Sequence, residues 1–181
     1  QSAKLGDNIL AINMILLQSF YIFSYFTDGF AYAGEALVGK FIGCNDKNSL
    51  TKVIRLLLLW GFSISIPFTI LYILFPSTFV KIISDSPNIL SEIKPYYIYM
   101  AVIPIITFAA FIWDGIYIGA TASKSMRNAI FIATAAFFIV YYSTNSTLQN
   151  NGLWLSFMFF LGLRGLVMGI TLKKDILNTI D

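Results

Sequence analysis

Tyr96-Tyr-Ile-Tyr-Met-Ala-Val-Ile-Pro-Ile-Ile-Thr-Phe-Ala-Ala-Phe-Ile-Trp-Asp-Gly-Ile-Tyr-Ile-Gly-Ala-Thr-Ala-Ser123 carries a single charged side chain, Asp114. A helix rises about 1.5 Å per residue, so roughly 20 mostly apolar residues cross the hydrocarbon core of a bilayer. This stretch is long enough to predict a membrane-spanning helix, and the rest of the chain repeats the pattern. Residues 9–27 are uncharged and lead through Asp28 and Glu35 towards Lys40, residues 56–75 form a second apolar run, residues 128–143 a shorter one, and residues 152–172 enclose Arg164. The reading is an all-α membrane protein with about five transmembrane helices, at about 9–40, 53–75, 95–123, 126–144 and 150–172. Residues 77–83, after Phe75-Pro76, read equally as a short interfacial helix or as a loop with apolar anchors.

Composition agrees: 57% of the residues are hydrophobic and 12% charged, against about 45–50% and about 25% in an average soluble domain. The chain has no His, which excludes imidazole metal sites, His proton shuttles and Ser-His-Asp catalysis. Its one cysteine, Cys44, excludes an intrachain disulfide or thiolate cluster. No enzyme, metal site or cofactor is expected. The net charge of +3 comes from basic residues scattered over hydrophilic breaks, which disfavours nucleic acid as a partner and leaves the lipid bilayer.

Cytoplasmic loops are enriched in Lys and Arg. Lys40, Lys47, Lys52, Arg55, Lys124, Arg127, Lys173 and Lys174 fall on one side, eight in all, against Lys4, Lys81 and Lys94 on the other. The count predicts a multi-pass protein of the cell inner (cytoplasmic) membrane with a cytoplasmic C-terminus. Five spans then place Gln1 outside, an arrangement natural for residues 1–181 as the partial C-terminal lobe of a longer protein. No signal-peptide pattern follows Gln1.

An ionisable side chain in a span costs roughly 2.5–3.5 kcal/mol at the helix centre, so it usually faces the bundle interior. Asp28, Glu35, Asp114 and Arg164 are the candidates. Asp28 precedes Lys40 by twelve residues and Asp114 precedes Lys124 by ten, which predicts similar depth for the two carboxylates. Helical spacing puts Tyr21, Ser24, Asp28 and Glu35 on one face, and Thr107, Asp114, Tyr117 and Thr121 on another. A carboxylate in such a cavity can exchange a proton for a cationic substrate, as an antiporter requires. Structural readings stand beside these. Asp28-Gly29 and Asp114-Gly115 also read as helix irregularities, Glu35 as structurally hydrogen-bonded or solvated, and Arg164 as snorkelling or paired with a carboxylate. Pro67 and Pro104 are expected to kink their helices. The small residues from Gly29 to Gly39 favour close helix approach.

Asp28-Gly-Phe-Ala-Tyr-Ala-Gly-Glu-Ala-Leu-Val-Gly-Lys-Phe-Ile-Gly43 resembles the eighth helix of multidrug and toxic compound extrusion (MATE) transporters, especially the DinF-like branch. Phe111-Ile-Trp-Asp-Gly-Ile-Tyr-Ile-Gly-Ala120, followed by Met126-Arg-Asn-Ala129, resembles the tenth helix and the loop after it. The resemblance extends over essentially the whole chain. It implies helices eight to twelve of a twelve-helix fold of two six-helix lobes, with the N-terminal lobe absent here. It also implies alternating access and H⁺- or Na⁺-driven export of small organic, often cationic substrates. Asp114 matches an acidic position proposed for cation coupling in some branches, whereas the first-helix Asp usually assigned to coupling in the DinF-like branch lies outside this chain. The expected coupling groups are therefore Asp114, Asp28 and Glu35, with Tyr21, Trp113, Tyr117 and Thr121 as substrate contacts. The competing functions are a lipid-linked oligosaccharide flippase of the same superfamily, whose cavity should be strongly basic, and a non-transporting membrane scaffold.

Overall fold

In lipid, backbone N–H and C=O groups must be satisfied within the protein, and a segment this apolar does so as helix. The computed structural model describes residues 6–84 and 86–179. Gln1, Lys4 and Asp85 lie outside them. The described residues form α1 (Asp7–Gly43), α2 (Lys47–Leu74), the short α3 (Pro76–Ile83) and α4 (Pro87–Glu92), α5 (Tyr97–Gly119), α6 (Ser123–Leu148) and α7 (Asn150–Asp175). No strand occurs among them, and α1, α2, α5, α6 and α7 are each long and apolar enough to cross a membrane. The described residues thus have the architecture of an all-α membrane protein, with five helices fit to span a bilayer.

Most helix ends shift from the expected ones by a few residues, and three of the shifts have a plain local reason. Asp46 accepts a 3.0 Å hydrogen bond from the Ser49 backbone N–H, capping α2 six residues before the expected start at residue 53 and drawing Lys47 and Lys52 into the helix. Hydrogen bonds from Ser49, side chain first and then backbone, hold the Asp46 carboxyl below its ordinary value. α5 stops at Gly119, because the Ala120 and Thr121 N–H groups turn back onto the Ile116 and Ile118 carbonyls and Thr121 adopts a φ of 54°. α6 runs on to Leu148, through residues read as a loop. There the Ser143 and Thr144 hydroxyls donate to the Ile139 and Val140 carbonyls one turn back, so polar side chains stay helical. Residues 77–83 are helical, with Pro76 in the first turn of α3, where its missing N–H is harmless. Pro67 and Pro104 lie inside α2 and α5, which continue through them.

α5 is the central helix, packed against α1, α2 and α7, while the main neighbour of α6 is α7. Two clusters of buried side chains mark the two ends of the bundle. One joins Ile12 and Leu16 of α1, Tyr72 of α2, Val80 of α3, Met100 of α5 and Trp154 of α7. The other joins Val38, Leu50, Ile116, Ala129 and Met168. The end of α1, the start of α2, the end of α5, the start of α6 and the end of α7 therefore lie together, at the end carrying the eight basic residues counted above. Polar bonds tie the opposite end. The Tyr72 hydroxyl donates to the Ser19 carbonyl at 2.9 Å. The Asn13 and Asn150 amides exchange bonds of 2.8 and 2.9 Å, and Trp154 Nε1 donates to Asn13 Oδ1 at 2.7 Å. Large apolar side chains such as Trp60, Phe131, Ile139 and Ile170 point outward, as lipid permits.

Candidate functional site

The α1–α5 seam is made by small residues. A Cβ on Gly115 would lie 2.0 Å from the Ala31 carbonyl oxygen, and one on Gly119 would lie 2.4 Å from that of Glu35. Glycine is required at both places, since the obstacle is backbone. The offset between partners is 84 residues in both contacts, so the two helices run parallel over this turn. At that offset Asp114 stands level with Phe30, within about half a turn of Asp28, which is how the similar depth expected of the two carboxylates arises.

Beside the seam lies a cavity of about 170 Å³ lined by Asp28, Ala31, Tyr32 and Glu35 of α1 and by Phe111, Asp114, Gly115 and Ile118 of α5. Three carboxylates are thereby brought to one space. Both helices remain regular through Asp28-Gly29 and Asp114-Gly115, so neither pair marks a break. Asp28 and Glu35 form no ion pair among the described residues, whereas Asp114 Oδ2 accepts a bond from Arg164 Nη2 of α7. Of the readings open for Arg164, the structure therefore selects pairing. α7 comes within reach because Gly165 packs on α5, where an added Cβ would meet the Ala110 nitrogen at 3.1 Å. Among the described residues no set of three or more His, Cys, Asp or Glu side chains stands close enough to hold a metal ion.

The other expected contacts are not brought to this cavity. Tyr117 is fully buried against α7, its hydroxyl 2.7 Å from the Met168 carbonyl oxygen and 2.8 Å from Thr171 Oγ1. Trp113 stacks edge-on to Tyr117 and lines a separate apolar groove of about 610 Å³ with Leu58, Phe108, Gly165 and Gly169. Tyr21 is exposed two helical turns before Asp28, with its ring near Phe20. Thr121 is exposed in the turn beyond α5, off the helical face assigned to it. Tyr32 and Phe111 were missed, although Tyr32 follows Asp28 by four residues, one of the spacings that keep a helical face together.

The sequence model of the family described as MatE matches residues 2–144. "DNA damage-inducible protein F" of Escherichia coli is 32% identical over 95% of this chain and 37% of its own length. "Protein DETOXIFICATION 45, chloroplastic" of Arabidopsis thaliana is 27% identical over 90% of this chain and 29% of its own length. "Protein DETOXIFICATION 43" of the same plant is 26% identical over 91% and 31%. The chain thus spans about a third of the length of the curated relatives it matches. No solved structure matches it.

Proposed function

We propose, starting from the fact that this chain belongs to the MatE family, that it is the C-terminal part of a secondary antiporter that exports small organic cations in exchange for H⁺ or Na⁺. The observation that carries the reading is the cavity in which Asp28, Glu35 and Asp114 face one space while a single guanidinium, that of Arg164, offsets them. Carboxylates in excess at membrane depth favour a cation, and the Tyr32 and Phe111 rings on the same wall offer faces to an organic one. The cavity lies beside a glycine seam and would be completed by the N-terminal lobe that the family resemblance implies. A pyrophosphate-carrying lipid would need a strongly basic cavity, and this one is lined by three carboxylates and no Lys or Arg, which weighs against the flippase reading. The eight basic residues at one end of the bundle support a cytoplasmic C-terminus in the inner membrane.

The test uses the full-length transporter. Asp114→Asn keeps shape and most hydrogen bonds but cannot ionise. It should leave expression unchanged, abolish or strongly reduce ion-driven efflux of a cationic dye, and flatten its pH dependence, while Asp114→Glu retains part of both. Imposing H⁺ and Na⁺ gradients separately on proteoliposomes identifies the coupling ion. Normal efflux by the Asn variant across the pH range would make Asp114 structural, and a wild-type protein without efflux under either gradient would favour the scaffold reading.

A further inference from the structure

Asp114 faces two ways. On one side it lines the cavity shared with Asp28 and Glu35, and on the other its Oδ2 accepts from Arg164. The ion pair is incomplete: Asp114 Oδ1 and Arg164 Nε are both buried without a hydrogen-bond partner. Arg–carboxylate pairs are frequently bidentate, with two parallel bonds, whereas here the guanidinium engages one oxygen and leaves the other without a partner. We propose that Arg164 is a tethered counter-cation that competes with the transported cation for Asp114 and so sets the affinity of the cavity. This rests on the cation-transport reading above and assigns to Arg164 a positioning role in it.

Two physical effects act at this pair. A bare carboxylate at this depth is costly whenever no substrate is bound, and the guanidinium removes that cost without a solute. The same guanidinium repels any cation entering the cavity, because a unit charge a few ångström away acts strongly in a medium less polar than water. Substrate arrival and guanidinium release are then one exchange, and departure of the substrate restores the pair.

The experiment titrates tetraphenylphosphonium into the purified full-length transporter. Arg164→Ala should bind it on the order of tenfold or more tightly than wild type, while Arg164→Lys, which keeps a cation on α7, stays near the wild-type value. Ethylguanidinium supplies the lost group in solution. It should weaken tetraphenylphosphonium binding to Arg164→Ala competitively and have little effect on wild type. Since removing Arg164 leaves a buried carboxylate, the variant is prepared with ethylguanidinium present. If ethylguanidinium cannot sustain its fold, the residue serves packing and the inference falls. Wild-type affinity or weaker binding in Arg164→Ala also overturns it, because a merely structural arginine gives no gain on removal. Absence of any binding by wild type instead sinks the cation-transport reading itself, so the wild-type titration separates the two failures.

Discussion

Replacing Gly115 with Ala adds one methyl group at the tightest point of the structure. The new carbon would stand 2.0 Å from the Ala31 carbonyl oxygen, 2.5 Å from its carbonyl carbon and 2.7 Å from its Cα. All three are backbone atoms of α1, so no side-chain rotation relieves the clash. Ordinary contact begins at 3.4 Å, and the helices must therefore part by about 1.4 Å at this turn. Overpacking of this kind typically costs about 1–3 kcal/mol, and a backbone-on-backbone clash belongs at the upper end. The displacement also moves Asp114 away from Asp28, since Asp114 is the neighbouring residue. Gly29→Ala is the matched control, because a Cβ there meets nothing within 4 Å. In the full-length transporter, Gly115→Ala should lower the thermal unfolding midpoint clearly and reduce ion-driven dye efflux, while Gly29→Ala leaves the midpoint at or slightly above wild type. A Gly115→Ala protein with wild-type stability and efflux would refute the seam as drawn, and with it the placement of the carboxylates.

Two further outcomes follow from the ends of the bundle. With other cysteines removed, Ser146→Cys should react with an impermeant thiol reagent in intact cells, and Cys44, exposed after α1, should react after permeabilisation alone; the reverse pattern would invert the topology. Asn13→Leu removes the acceptor of Asn150 Nδ2 and Trp154 Nε1. It should destabilise by about 1–3 kcal/mol for each donor left unsatisfied, whereas Asn13→Leu with Asn150→Leu costs less than the two single changes summed, as measured by thermal unfolding.

The spans were legible because apolar run length reports bilayer thickness directly, and the depth of Asp28 and Asp114 because rise per residue is constant. Boundaries depended on caps. Asp46 and Ser49 extend α2, and the positive φ at Thr121 ends the face on which that residue was placed. Site composition was less legible. Residues three apart on a helix still differ by about 60° in direction, which is enough to turn Tyr117 from the cavity onto α7. Tyr21 shares the azimuth of Asp28 but stands about 10 Å away along the axis. That Arg164 would choose Asp114 over Asp28 depended on where α7 crosses α5, and this crossing is set by Gly165 against Ala110, a contact between segments far apart in sequence. The Asn13–Asn150 pair is of the same kind, 137 residues apart.

The placement of the charges follows from the placement of the glycines. Asp114 is followed by Gly115, which packs on α1, and Arg164 by Gly165, which packs on α5. Consecutive residues on a helix differ by about 100° in direction. A charge next to a contact glycine therefore emerges at the flank of the seam, close to the neighbouring helix but outside the tight contact, where a cavity has room for it. Gly29 does not take part in this way, and Asp28 instead reaches the cavity three residues before the contact at Ala31. Because α5 packs on both α1 and α7, Asp114 belongs to two seams at once. Separating α5 from α7 would break its bond to Arg164 and widen the groove at Trp113, whereas separating α5 from α1 would divide the carboxylates from one another. If the cavity takes a cation as proposed, a helix that moves with respect to only one neighbour changes the charge available to it, which would link affinity to conformation through the close contacts at Gly115 and Gly165.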